Sequence, residues 1–431
     1  MSDPHLRLTR LLSESPPVLS PDLLRRFVAR HFEKRDRCLN LWRKHGGMPL
    51  YLFDETALLS RAAEFRAAFD ARLPACGFYY AMKSNNHPFI AQSLATAGFG
   101  LDVSSGLELQ LALDTAAEHI VFSGPGKLDR ELIQAVAHAD RVTVLIDSFG
   151  ELDRLSAAAA TGGARVRAGV RVNPPGPHGW RKFGIGLDRL RAFWETAARR
   201  PGVQLQGIQF HTSWNMTSTA QIETITALGR ELETWPAELT RTMSFLDIGG
   251  GYWPPAGEWL LPEATDGGHI RQLLDGVAPD RSAHFCNPAI SIDEAAANLA
   301  QAIRQAIFPV TRCRICFEPG RWLSNEAMHI LISVVDKKET DLVITDAGTN
   351  AIGWERFERD YAPILNLSQP GLSEQPCHIL GSLCTPHDVW GYNYFGGGID
   401  RGDILLIPDQ GAYTYSLRQH FIKPIPATAR M

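Results

Sequence analysis

Eight short apolar runs, each followed by an alanine- and leucine-rich stretch, restrict the folds open to this chain more than any other feature. They are Phe78–Met82, Phe99–Val103, His119–Phe122, Val142–Ile146, Val166–Val172, Leu205–Phe210, Ser244–Ile248 and Arg314–Phe317. Strands that are apolar on both faces and alternate with helices form a parallel sheet covered by those helices. Eight such units in series predict a closed (β/α)₈ barrel. The residues at the C-terminal ends of the runs are polar or glycine. They are Lys83, Asp102 with Ser104 and Ser105, Ser123 to Lys127, Asp147 and Ser148, Arg171 with Asn173, His211, Gly249 to Gly251, and Glu318 with Arg321. A barrel of this kind carries its active site at that end, so these residues are expected at one mouth.

With 431 residues, the chain is longer than one ordinary domain. Residues 1–46 read as an N-terminal helical extension, with Leu23 to Val28 and Leu39 to Trp42 near helical spacing and Gly46-Gly47 ending it. The barrel is expected over 47–325, with Asp54 or Thr56 capping its first helix and the strand near 49–53 able to join another sheet. After Arg321 the short runs Ile330–Val335, Leu342–Thr345, His378–Leu380 and Ile404–Ile407 predict a C-terminal β domain over 326–431. Gly257 to Pro288 reads as an insertion or extended loop without assignable elements.

A net charge of −4 provides no basic field for nucleic acid or an anionic membrane, so a small-molecule substrate is expected. No apolar run approaches the ~20 residues of a membrane span, and the start lacks a charged segment followed by an apolar one. A cytoplasmic protein is therefore the expectation. The seven cysteines are odd in number and scattered, which predicts thiols. The pair Cys313 and Cys316 has no second Cys/His pair at a matching distance, so no metal is expected.

Tyr79 to Met82 is an apolar run that stops at Lys83 and turns polar at Ser84-Asn85-Asn86. An amine held there loses hydration and becomes a nucleophile toward a carbonyl; a plain strand-end charge is the alternative for Lys83 taken alone. Gly249-Gly250-Gly251 offers backbone amides to a phosphate, whereas Gly396 to Gly398 lacks a preceding strand and reads as a turn. Glu318 and Arg321 place a carboxylate and a guanidinium at one strand end. A lysine, a phosphate cradle, a carboxylate and a flat histidine are together what pyridoxal phosphate needs.

From residue 49 to about 425 the chain resembles the fold-type III, alanine-racemase-like barrel family of pyridoxal-phosphate enzymes, in its ornithine/diaminopimelate decarboxylase branch. The resemblance implies that Lys83, in Tyr80-Ala81-Met82-Lys83-Ser84-Asn85, forms the Schiff base with pyridoxal 5'-phosphate. It implies that His211 stacks on the ring, that Gly249, Gly250 and Gly251 hold the phosphate, and that Glu318 meets the ring nitrogen, with Gly320 and Arg321 completing that motif. Asp102, Arg171 and Tyr413 join the cofactor set by the same resemblance, and Arg321, Asp346, Thr385, Asp388 and Tyr413 the substrate set. Cys384, with Asp388 four residues on, is similar to the decarboxylase motif whose cysteine enters the partner subunit's site as a proton donor. A homodimer with shared active sites is implied.

The departures concern the substrate. Ser213 and Trp214 stand where the family has glycine and serine, Thr385 where it has an acidic residue, and Trp354 and Glu358 where an arginine and a tyrosine are usual. Arg356 or Arg359 would have to substitute for the missing clamp. The expected activity is decarboxylation of an amino acid or an amino-acid-derived intermediate, bulkier or less charged at its far end than diaminopimelate and in specialised metabolism or tethered to a carrier. A racemase or epimerase on the same barrel and a catalytically silent regulator are the alternatives.

Overall fold

The computed structural model describes residues 4–13, 16–176, 179–276, 281–353 and 359–431. They form two compact units: Leu58–Pro255 with Ile290–Ser324, and Met1–Ala57 with Ala256–Ala289 and Asn325–Met431.

The first unit is the barrel. Its strands are β1 (Cys76–Ala81), β2 (Gly100–Val103), β3 (Ile120–Phe122), β4 (Val142–Ile146), β5 (Val166–Arg171), β6 (Val203–Gln209), β7 (Phe245–Asp247) and β8 (Arg314–Phe317). All neighbours are parallel, and β8 closes on β1 with Ile315 opposite Cys76. These are the eight apolar runs, with ends shifted by one or two residues. Closure removes both sheet edges, so every strand needs an apolar outer face against its helix, and the runs supply one. Two of the strand-end serines start helices instead of facing a ligand. Ser105 accepts the Glu108 N–H and Ser148 the Glu151 N–H, each satisfying an orphan donor worth about 1 kcal/mol.

The second unit is built on a mixed eight-stranded sheet. Leu50–Phe53 lies inside it, antiparallel to Met328–Leu331 at the start of the strand Met328–Glu339 and parallel to Ala427–Arg430, and is buried along its whole length. The N-terminal extension packs on this sheet. In the helix Pro21–Phe32, Leu24, Val28 and His31 fall on one buried stripe, and Ser20 caps its start by accepting the Leu23 N–H. Leu24, Val28 and Trp42 share one core with Leu331 and Leu406 of the sheet and with Trp259 and Leu261. Trp259 belongs to the 257–288 segment, which forms the antiparallel pair Glu258–Leu260 and Phe285–Asn287 and the helix Asp266–Asp275. The expected domain limits are corrected accordingly: the barrel unit begins at 58 rather than 47, and 256–289 leaves it. Apolar pairing decided both changes, since neither the 50–53 strand nor Trp259 could be buried without the sheet.

In the same unit buried His31 and His329 and half-buried Asp409 form a polar cluster. The Asp409 N–H donates to His329 Nδ1 at 2.9 Å, so that lone pair is already engaged. Burial, reinforced by Lys34, pushes His329 down to about 3, and burial also holds His31 well below the ordinary histidine value. Among the described residues, no helix is long and apolar enough to cross a membrane.

Candidate active site

β1 ends at Ala81 and passes into one 3-10 turn, Met82–Ser84, that carries Lys83. The turn is tied to the end of β8. The Ala81 N–H donates to Pro319 O at 3.2 Å, and Ser324 Oγ donates to Ser84 Oγ at 3.3 Å. Gly320 permits this approach, because a Cβ there would stand 3.0 Å from the Ser84 Cβ. Lys83 Nζ lies 3.2 Å from Asp102 Oδ2 at the end of β2. Asp102 is buried, and Ser123 Oγ, at the end of β3, donates to its other oxygen at 2.6 Å. Burial and then the charge of Glu318 push the Asp102 carboxyl up, while Lys83 and Ser123 hold it down.

His211 follows β6 and accepts the Gly250 N–H on Nδ1 at 3.1 Å. Desolvation, with Lys83 and Arg171 nearby, pushes the imidazole down to about 3, so the ring is neutral and carries its hydrogen on Nε2. The glycine run after β7 is sterically obligatory. A Cβ on Gly250 would fall 2.1 Å from the Glu318 carbonyl oxygen, and Gly249 and Gly251 have φ of +67° and +85°. Its amides are not all available to a phosphate, which corrects the expectation. The Gly249 N–H donates to Asp247 Oδ1 at 2.9 Å and the Gly250 N–H to His211, leaving the Gly251 N–H without an acceptor among the described residues.

Glu318, at the end of β8, receives the Gln209 amide at 3.3 Å on both oxygens and lies 3.8 Å from His211 Nδ1. Arg321 places its guanidinium 4.3 Å over the Trp253 ring, and Arg171 lies 4.3 Å over Phe183. Lys83, Asp102, His211, Glu318 and the glycines are therefore linked at one end of the barrel. Gln209 and Asp247 were missed as site residues, although each is the lone polar side chain in an apolar strand end. Glu108, whose carboxylate accepts the Ser104 N–H at 2.7 Å, gave no signal of its own.

The remaining expected residues belong to the other unit. Cys384 is exposed and Thr385 half-buried. Asp388 is buried and accepts from Thr349 N, Thr349 Oγ1 and Leu383 N at 2.7, 3.0 and 2.6 Å. Asp346 accepts from Ser333 N and Oγ at 2.8 and 2.6 Å. Both carboxyls are engaged by backbone and hydroxyl donors of their own unit, which supports a structural role for them in place of the expected substrate contact. Tyr413 is held at φ +57°, a conformation a tyrosine adopts only where its surroundings impose it. Trp354, Arg356 and Glu358 lie outside the described residues; Arg359 is exposed.

The barrel residues fit pyridoxal phosphate. An amine beside a carboxylate, a neutral flat imidazole, a buried carboxylate with one side committed to Gln209, and a glycine backbone with an open amide correspond to its aldehyde, ring face, ring nitrogen and phosphate.

Residues 58–263 match the model of the pyridoxal binding domain of pyridoxal-dependent decarboxylases. The diaminopimelate decarboxylase of Aquifex aeolicus is 26% identical over 399 residues, covering 87% of this chain and 84% of that protein. The L-glutamyl-[BtrI acyl-carrier protein] decarboxylase of Niallia circulans is 26% identical over 87% of this chain and 86% of its own length. In fold, the chain resembles the solved diaminopimelate decarboxylase of M. jannaschii with a TM-score of 0.77, at 23% identity over 91% of this chain and 89% of that one. The lysine, histidine and glycine run gathered as described lie within the residues, 58–263, that match the pyridoxal binding domain of the pyridoxal-dependent decarboxylases.

Proposed function

We propose that this chain decarboxylates an amino acid or an amino-acid conjugate, using pyridoxal phosphate. The observation that carries the reading is the Lys83 amine held 3.2 Å from buried Asp102, at the barrel end that also gathers neutral His211 and Glu318. When bound, pyridoxal phosphate supplies the electron sink that takes up the pair left at the α-carbon as carbon dioxide departs. The chain's own residues do the rest. Lys83 would hold the cofactor's aldehyde, with Asp102 beside it to stabilise the charge of the amine. Neutral His211 would lie against the ring without adding charge, and Glu318 would serve the ring nitrogen. Arg321, steadied on Trp253, offers a guanidinium to an anionic group. Cys384, supplied by a second copy of the chain, returns the proton to the α-carbon; its exposure supports that role. The working form is then a homodimer.

Thr385 after Cys384 provides no carboxylate for a distal ammonium, which favours a substrate whose far end is uncharged or conjugated. The Niallia circulans relative, named for a carrier-bound glutamyl group, supports including tethered substrates. The test is a carbon dioxide release screen over free amino acids and their amide or thioester conjugates. Release from a conjugate, abolished in Lys83→Ala, is expected. Efficient turnover of diaminopimelate would refute the substrate assignment, and no release from any member would refute the decarboxylase.

A further inference from the structure

Of the serines that follow β2, β3 and β4, Ser105 and Ser148 cap helices. Ser104 and Ser123 meet each other instead. Ser123 is buried, and its Oγ lies 2.6 Å from Asp102 Oδ1, 3.2 Å from Ser104 Oγ and 3.3 Å from Val103 O. A hydroxyl has one hydrogen to give. It goes to the carboxyl oxygen, the nearest of the three, while Val103 O already accepts the Ser123 N–H at 2.8 Å. Ser123 Oγ is then the acceptor toward Ser104, whose hydroxyl donates.

The backbone around the two serines holds them in this arrangement. The Ser104 N–H donates to Glu108 Oε2 at 2.7 Å. Gly124, at φ +92°, lets the turn after β3 lie directly on Ser104, since a Cβ there would stand 2.7 Å from the Ser104 carbonyl oxygen. Lys127 Nζ fixes the same turn through Gly124 O at 2.7 Å. Ser104, Ser123, Asp102 and Lys83 therefore form one line of contacts, with Asp102 Oδ1 committed to Ser123 and Oδ2 placed 3.2 Å from Lys83 Nζ. An aspartate carboxyl turns easily about its last side-chain bond, and a donor fixed on one oxygen stops that rotation.

We propose that Ser123, backed by Ser104, is a positioning residue of the barrel mouth: its hydroxyl fixes the Asp102 carboxyl so that the second oxygen holds the Lys83 amine where the cofactor's aldehyde must meet it. The bearing on the cofactor rests on the pyridoxal-phosphate reading above; the line of contacts does not.

The first measurement uses the full chain without cofactor. Lys83, whose side chain is 34% exposed, is methylated with formaldehyde and cyanoborohydride, and the rate at its peptide is read by mass spectrometry. In Ser123→Ala the carboxyl is free to turn and the amine is less firmly held. Lys83 should then react at least about threefold faster than in wild type, while Lys338, exposed in the other unit, reacts at the wild-type rate. Ser104→Ala, which keeps the bond to Asp102, should give a smaller rise. An unchanged or slower Lys83 rate in Ser123→Ala would overturn the proposal.

The second measurement is the affinity for pyridoxal phosphate by equilibrium dialysis, with Lys83 present and in Lys83→Ala. Ser123→Ala should weaken binding about tenfold with the lysine present and leave it unchanged without it, because the hydroxyl acts through the amine. Equal weakening in both backgrounds would assign Ser123 a general structural role and overturn the positioning one. A wild-type chain that binds no pyridoxal phosphate would refute the cofactor reading, and the methylation rate would still decide the role of Ser123.

Discussion

Lys127→Met should destabilise the barrel out of proportion to the size of the change. Lys127 Nζ makes three hydrogen bonds of 2.7 Å, to Gly124 O, Leu145 O and Glu151 Oε1. These exhaust the donors of an ammonium, and the two charged side chains are 0% and 1% exposed. Burial pushes the Lys127 amine down and the Glu151 carboxyl up, and each partner's charge opposes the other's shift. Methionine fills the space but leaves a buried carboxylate without its counter-charge and two carbonyls without donors. Breaking a buried pair from one side costs about 3–5 kcal/mol. Removing both charges in Lys127→Met/Glu151→Leu leaves mainly the two carbonyls, about 1–3 kcal/mol. The double variant should therefore be more stable than the single one, with a coupling of about 2 kcal/mol or more. Urea unfolding of the wild type, both singles and the double measures this. A loss below about 1 kcal/mol in Lys127→Met, or a double variant equal to the sum of the singles, would refute the reasoning. Lys127 ties the turn after β3 to β4 through Leu145 O and to the helix after β4 through Glu151, and that turn begins at Ser123, the donor to Asp102. The single variant should thus also bind pyridoxal phosphate more weakly.

Acid should weaken the sheet unit through His31 and His329, whose folded values lie below the ordinary one, at about 3 for His329. The unfolded chain then binds protons that the folded one does not, so stability is full above about pH 6.5 and falls with pH below it, by about 1.2 kcal/mol through His329 between pH 6 and pH 5, with His31 adding in the same direction. Denaturant melts at the two values check this, and His329→Gln should flatten the dependence. Gly250→Ala, whose Cβ would lie 2.1 Å from the Glu318 carbonyl oxygen, should cost about 2–3 kcal/mol and weaken cofactor binding in a titration by more than about tenfold. Asp388→Ala should lower the melting temperature by removing the acceptor of three hydrogen bonds, at about 2–4 kcal/mol. A variant of normal stability with only a raised KM would restore its substrate role.

The barrel was legible because its signal is local and repeated. A strand buried on both faces must be apolar throughout, and eight such runs closing in order leave little else to decide. Lys83, His211 and Glu318 were legible for the same reason: each ends a run, where the chain must turn at the mouth. Gln209 and Asp247 end their strands but lie one residue inside the apolar runs Leu205–Phe210 and Ser244–Ile248, so they read as interruptions of a core pattern. The aspartates of the second unit misled in the opposite direction. Asp346 and Asp388 stand in a recognisable motif, but their oxygens are occupied by amides of Ser333, Thr349 and Leu383, whose arrival no spacing announces.

The amino-acid sequence alone determined the strand count, the end of the barrel that carries polar groups, and the lysine, since these follow from hydrophobic period and chain order. Only the tertiary structure decided that residues 50–53 and the segment around Trp259 join the second unit, because the strands they pack against lie some 70 to 380 positions later. It also decided which glycine amide stays open, because the Gly249 and Gly250 N–H groups meet the side chains of Asp247 and His211, which the spacing along the chain does not announce.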